Sequence, residues 1–229
     1  MIKVNKLNKS YGETTVLEDI SFSINKGQVF GVMGRNGAGK TTLIRSILQK
    51  VEYSGSIDFE SQLMGAKGKL NSELIYFVSD TPHVYEYLTG IEYIQFVLKV
   101  KNRDLPPNSR ILEILSFFGI EEKDTHRLLK EYSFGMKRKI VLATGFLMKP
   151  EFMILDEPTI GLDVPSVIIL KKLILASADQ KMTFLVTSHD PTLMSELCEA
   201  LLILDDHKMV YLNKNFADEK ENLSELYIS

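Results

Sequence analysis

The segment Gly34-Arg35-Asn36-Gly37-Ala38-Gly39-Lys40-Thr41-Thr42 fits the spacing G-x-x-x-x-G-K-T without a gap. Each position serves a different part of a bound triphosphate. The glycines let successive backbone N–H groups curl around phosphate oxygens, and a helix starting behind the loop adds the positive end of its dipole. Lys40 reaches the terminal phosphates, and the Thr41 hydroxyl is a ligand for Mg²⁺. Further along, Phe152-Met153-Ile154-Leu155 runs into Asp156-Glu157, two carboxylates at the carboxyl end of an apolar run. Asp156 suits a magnesium shell, usually through water, and Glu157 suits orientation or deprotonation of a water beside the γ-phosphate. Thr187-Ser188-His189-Asp190 places an imidazole at a second such end, where it can hydrogen-bond the γ-phosphate. The loop alone does not choose between kinase, GTPase, motor and transport ATPase.

These residues need particular elements to hold them. Gln28 to Met33 reads as a buried strand leading into the loop, and Leu43, Ile44, Ile47, Leu48 and Val51 fall on one face of the helix leaving it. Ile20 to Ile24 alternates like a strand, with a turn at Asn25-Lys26-Gly27, and Glu73 to Ser79 reads as another strand. From Thr81 to Leu147 the stripes become helical: Ile91, Ile94 and Val97, then Ile111, Leu112, Leu115 and Phe118. After Pro150 strands and helices alternate again: a strand over Phe152–Leu155, a helix over Pro165–Ser177, a strand over Thr183–Thr187 and a helix near Thr192–Cys198. Leu201–Leu204 and Lys208–Leu212 predict a hairpin around Asp205-Asp206-His207, and the acidic segment from Phe216 predicts a short helix. A mainly parallel sheet interrupted by a helical insertion follows, in one domain with a core over about 1–80 and 148–229 and a lobe over about 81–147.

Composition narrows the partners. The chain has 229 residues, 45% hydrophobic and 25% charged, the balance of an ordinary globular domain. A formal net charge of −3 argues against a broad basic surface, so nucleic acid is not an expected partner. Cys198 has no second cysteine to pair with, which fits a reducing, cytoplasmic compartment. Met1 to Lys6 lacks the features of a signal peptide, and no stretch approaches the roughly 18 apolar residues of a membrane span. Any membrane role is expected to come through a partner.

The order of the motifs resembles the nucleotide-binding subunit of an ABC transporter over almost the whole chain. After the phosphate loop come Tyr132-Ser133-Phe134-Gly135-Met136, similar to the L-S-G-G-Q signature, then Asp156-Glu157, then Gly161-Leu162-Asp163 as the D-loop, then His189 as the switch histidine. Tyr11 matches the aromatic residue that stacks on adenine. The resemblance implies the ABC ATPase fold, an α/β P-loop NTPase with a mainly parallel core sheet, an antiparallel β subdomain and an inserted α-helical lobe. It implies ATP and Mg²⁺ as cofactors, with Gly34 through Thr42 and Tyr11 on the nucleotide, Thr41, Asp156 and Asp80 on the metal, and Lys40, Glu157 and His189 in catalysis. It also implies a head-to-tail homodimer or heterodimer in which Ser133 and Gly135 of one subunit meet the γ-phosphate held by the other. A membrane subunit would dock near Tyr85, Tyr87 and Thr89, placing the chain on the cytoplasmic face of the membrane.

Two positions depart from the pattern. Asp80 aligns with the family's glutamine, unless the alignment of that loop shifts by a residue or two, and brings a third negative charge toward Asp156 and Glu157. Phe134 replaces the signature's first glycine and is expected to constrain the loop and crowd the dimer seam. Lys137, Arg138 and Lys139 are expected in the first turn of the following helix, where positive charge opposes the dipole; either an anion lies near or the side chains point into water. Ser133 to Lys139 is similar to the S-G-G-M-K-R-R form of bacterial drug, bacteriocin and sodium exporters, and Asn222 to Tyr227 resembles the short tail of that subgroup. Export-driving ATPase is the expectation; a soluble non-transport ATPase, such as a cluster-assembly subunit, and a weakly hydrolysing regulatory subunit are the alternatives.

Overall fold

The computed structural model describes residues 1–206 and 208–213. An antiparallel pair opens the chain, β1 (Ile2–Tyr11) and β2 (Thr14–Ile24), with Ile2 opposite Ile24 and Tyr11 opposite Thr14. β3 (Val29–Gly34) enters the phosphate loop and α1 (Lys40–Ile47) leaves it. β4 (Ser54–Phe59) returns to the far side of β1, and β5 (Ile75–Val78) starts the opposite edge. The lobe contains α2 (Gly90–Val100), α3 (Asn108–Phe117), the single turn α4 (Glu122–Thr125) and α5 (Phe134–Met148). Then follow β6 (Phe152–Asp156), α6 (Val164–Asp179), β7 (Thr183–Ser188), α7 (Pro191–Leu197), β8 (Ala200–Asp205) and β9 (Lys208–Asn213). The helix expected from Phe216, the ending Asn222–Tyr227 and His207 lie outside the described residues.

All strands join one sheet in the order β4-β1-β2-β9-β8-β3-β7-β6-β5. From β8 to β5 neighbours are parallel; β4, β1 and β2 are antiparallel, and β9 pairs antiparallel with β8, forming the expected hairpin. The parallel strands are buried on both faces, which explains their unbroken apolar runs. Alternation still operates within them. Phe30, Val32, Ile154 and Leu185 face α1, whereas Met33, Met153, Leu155, Phe184 and Val186 face α6, α7 and the lobe. Two strands escape a reading by periodicity. β1 carries register shifts between Val4 and Leu7, which break the alternation, and β4 is a largely exposed edge strand with little apolar patterning.

The lobe is not a loose appendage. A single apolar cluster continues from the sheet through Tyr76 and Met153 into α2, α3 and α5. α2 starts with a capping box in which Thr89 accepts from Glu92 N and the Glu92 carboxylate accepts from Thr89 N, so Thr89 serves its own helix and is not an exposed contact. α5 leaves the lobe and lies on the sheet, where the Tyr76 hydroxyl donates to Val141 O at 3.1 Å. Close approach there requires Gly145: a Cβ would sit 2.4 Å from Met153 Cε and 2.8 Å from the Tyr76 ring. Gly145→Ala is therefore expected to destabilise the protein by about 1–3 kcal/mol despite alanine's better helix propensity. Urea unfolding measures this, and a gain in stability would show that α5 does not seat as described.

Candidate active site

β3, β6 and β7 are adjacent and parallel, so their carboxyl ends bring the phosphate loop, Asp156-Glu157 and Ser188-His189 to one edge of the sheet. Gly37 and Gly39 adopt φ of 88° and 101°, which turns consecutive N–H groups the same way. Gly39 also touches β2, where a Cβ would lie 2.8 Å from Val16 O. α1 begins with no side-chain cap and no acidic residue in its first turn, so its leading N–H groups remain available to an anion. This cradle fits phosphate oxygens. The Lys40 ammonium is buried and donates to Gly34 O at 2.6 Å and Arg35 O at 3.3 Å.

Asp156 is buried at the end of β6. Its Oδ1 accepts from Thr187 Oγ1 at 2.5 Å and its Oδ2 from Thr41 Oγ1 at 3.0 Å. Burial pushes its pKa above the ordinary value, against the two hydroxyls, which favour the charged form; the charges of Asp80 and Glu157 push it up further. Thr41 donates its proton to Asp156, which leaves its oxygen lone pairs to a metal. Glu157 follows with φ 47°, in the left-handed region that non-glycine residues seldom occupy. Its N–H is held by Thr187 O at 3.2 Å and Thr187 Oγ1 at 3.1 Å. One carboxylate oxygen meets His189 Nδ1 at 3.0 Å; the other lies 3.2 Å from Lys40 Nζ. The Lys40 approach is electrostatic and not aligned for a hydrogen bond, so Oε1 is a buried acceptor without a donor. The structure thus gathers Lys40, Thr41, Asp156, Glu157 and His189 directly.

Asp80 stands apart from that group. It shares a cavity of about 400 Å³ with Thr41, Arg45, His83 and Asp156, but its Oδ1 accepts from Thr81 N at 2.7 Å. Among the described residues no three His, Cys, Asp or Glu side chains gather as a metal cluster, so any ion here would depend on Thr41, single carboxylates and phosphate oxygens. Tyr11 ends β1 half-exposed, with Lys9 Nζ 4.6 Å from its ring centroid. Ser133 caps α5, its Oγ accepting from Met136 N, and neither it nor Gly135 bonds to the phosphate loop of its own chain. Gly135 packs on Gly161 O, and the Phe134 ring covers Gly161, where a Cβ would lie 2.6 Å from Phe134 Cδ1. Phe134 therefore constrains the loop through Gly161 while staying largely exposed.

Of the three basic residues after the signature-like segment, Lys137 and Lys139 each meet an anion, one of the two expected outcomes, whereas Arg138 meets neither an anion nor water. α5 starts at Phe134, so they lie beyond its first turn. Lys137 pairs with Glu86, Lys139 pairs with Asp163 at 2.6 Å, and Arg138 is wholly buried against main-chain carbonyls. The Lys139 ammonium holds the Asp163 carboxyl down to about 2. Sequence reasoning passed over Thr187, whose hydroxyl supports both acids; a threonine closing a buried apolar strand next to His189 was the available signal.

A family model described as ABC transporter matches residues 17–160. Over 232 residues the chain is 30% identical to a bacitracin transport ATP-binding protein of Enterococcus faecalis, covering 99% of this chain and 71% of that protein. A lantibiotic transport ATP-binding protein of Streptococcus pyogenes is 31% identical, covering 99% of this chain and 96% of its own length. A peptide export ATP-binding protein of Bacillus subtilis is 32% identical, with 92% and 87% covered. In fold, the chain matches the ATP-binding subunit of an ABC transporter with a TM-score of 0.84 at 24% identity, covering 100% of this chain and 98% of that one. A dimeric ATP-binding cassette bound to ADP and phosphate matches with a TM-score of 0.77 at 23% identity, with 93% and 98% covered.

The Thr187 hydroxyl favours ionised Asp156, so Thr187→Val is expected to raise the Asp156 pKa further above 3.8 and to cost about 1–3 kcal/mol at neutral pH. As pH falls through the raised Asp156 range, both proteins protonate that carboxyl and the difference narrows. Urea unfolding across pH tests this. A difference independent of pH would show that Thr187 does not act through Asp156.

Proposed function

The chain belongs to the ABC transporter family, and on that premise we propose that it is the ATP-binding and ATP-hydrolysing subunit that drives transport, in the export direction, through a separate membrane subunit. The observation that carries the catalytic reading is Glu157, whose carboxylate lies between Lys40 and His189 at the mouth of the phosphate loop. Lys40 exchanges the carbonyls of Gly34 and Arg35 for phosphate oxygens and neutralises charge that grows in the transition state. Glu157 orients the attacking water and takes its proton. His189, held through Nδ1, keeps its second ring nitrogen for the γ-phosphate. Thr41 and Asp156, the latter directly or through water, would hold Mg²⁺, which would supply charge neutralisation at the phosphates. Asp80 borders that position, and Tyr11 is the residue proposed to stack on adenine.

The assembly reading follows from the placement of Ser133 and Gly135. Ser133 caps α5 and Gly135 lies in its first turn, and neither bonds to its own phosphate loop, which suits contact with a nucleotide held by a second subunit, in a homodimer or heterodimer. We take the chain as a single domain with a core over about 1–80 and 148–229 and a lobe over about 81–147. No helix among the described residues is long and apolar enough to cross a membrane, so the membrane path is assigned to another chain. Tyr85 and Tyr87 stand exposed on the lobe, and we take them as its docking candidates, with the subunit on the cytoplasmic face of the membrane. Export rests on the peptide-export and antibiotic-transport relatives and on the Ser133–Lys139 segment.

Glu157→Gln is expected to bind ATP normally and hydrolyse it about 10²–10⁴-fold more slowly. Steady-state phosphate release and nucleotide titration measure both, and unimpaired turnover refutes the role of Glu157. Asp80→Gln is expected to retain or raise ATPase activity, because it removes a negative charge beside Asp156. Complete loss with an intact fold would overturn the placement of Asp80 in the site. Co-purification from detergent-solubilised membranes should yield a multi-span protein.

A further inference from the structure

Arg138 is among the largest fully buried side chains in the protein, yet it faces no carboxylate in a salt bridge. Its Nε donates to Pro158 O at 3.3 Å; Nη1 donates to Ser79 O at 2.9 Å and Asp80 O at 2.6 Å; Nη2 donates to Asp156 O at 3.2 Å and to Glu157 O. A guanidinium has five N–H donors, and each here meets a main-chain carbonyl. Burying a cation against neutral dipoles is a poor route to stability, since an apolar side chain of like volume does as well. What the arrangement provides is position. The carbonyls belong to two segments far apart in sequence, 79–80 at the entrance to the lobe and 156–158 around Glu157. Glu157 itself has the left-handed φ of 47°, a conformation that persists only where its surroundings hold it.

We propose that Arg138 is a positioning residue for hydrolysis. It locks the 156–158 turn so that the Glu157 carboxylate stays between Lys40 and His189, and it fastens that turn to the 79–80 segment. Because Ser133 caps the same helix that carries Arg138, a displacement of α5 at its N-terminus reaches Glu157 of the same subunit through this side chain. The inference rests on the reading of Glu157 as the residue that activates water. A lysine keeps the stem and the charge, but one nitrogen cannot engage both segments in the same fork.

The test uses the full chain with Arg138→Gln, Arg138→Lys, Glu157→Gln and the double variant R138Q/E157Q, read by thermal unfolding, fluorescent-nucleotide titration, steady-state kinetics and single-turnover hydrolysis. The Arg138 variants are expected to fold, to bind ATP within about threefold of the parent, and to lose kcat by roughly 10- to 100-fold at unchanged KM. In the Glu157→Gln background the Arg138 substitution should change residual single-turnover hydrolysis by less than about twofold, since the group it positions has gone. Parental kcat in both Arg138 variants, a loss expressed only in KM, or a full further loss on top of Glu157→Gln overturns the proposal. Should Arg138→Gln fail to fold, Arg138→Lys carries the test; unfolding of both assigns Arg138 to the scaffold and overturns it as well. Normal turnover of Glu157→Gln alone sinks the underlying assignment and is read independently of any Arg138 variant.

Discussion

Two carboxylates, Asp156 and Glu157, leave a buried strand one after the other, and the surrounding polar groups answer the electrostatic demand this creates. At an effective dielectric of about 20, unit charges about 4 Å apart interact by about 4 kcal/mol, so an unanswered pair of buried acids would stay protonated. Thr41 and Thr187 bind Asp156, Lys40 and His189 flank Glu157, and the Arg138 cation sits behind both. These neighbours come from the start of α1, from α5 and from the end of β7 and the residue after it, so the charges needed for nucleotide chemistry also tie separate parts of the fold together.

The double-sided sheet makes that arrangement possible. α1 covers one face, while α6, α7 and the lobe cover the other, which lets β3, β6 and β7 run parallel and present their carboxyl ends together. α5 links this edge to the lobe. Its first residues meet the Gly161 loop through Phe134 and Gly135, its second turn holds Arg138, and its last turns seat on Tyr76 and Met153. A rigid helix contacting all three regions transmits displacement among them, because packed interfaces shift between discrete arrangements and do not deform smoothly.

The residues legible in the sequence share one property: their function is carried by immediate neighbours in the chain. Gly37, Gly39, Lys40 and Thr41 act through a local loop, and Asp156-Glu157 and His189 are placed by the strands that end beside them. Arg138 and Thr187 were not legible in this way. Arg138 bonds carbonyls 59 and 20 residues away, and Thr187 serves acids about thirty residues earlier, so the partners of neither are given by the residues beside it in the chain. The basic run Lys137–Lys139 shows the difference plainly, since α5 begins at Phe134 and sends adjacent residues to separate partners: Glu86, a nest of carbonyls and Asp163.

By itself the sequence determined the phosphate cradle, the acidic strand end and the order of motifs that mark the family, because backbone conformation and helix dipoles there depend on residues within one turn of each other. Only the tertiary structure decided which hydroxyls bond Asp156, that Glu157 sits in a left-handed turn, that Phe134 packs on Gly161, and that Arg138 faces inward. Those outcomes depend on which strands become neighbours and how closely α5 lies on them, and that is set by burial across the whole sheet rather than by any local pattern.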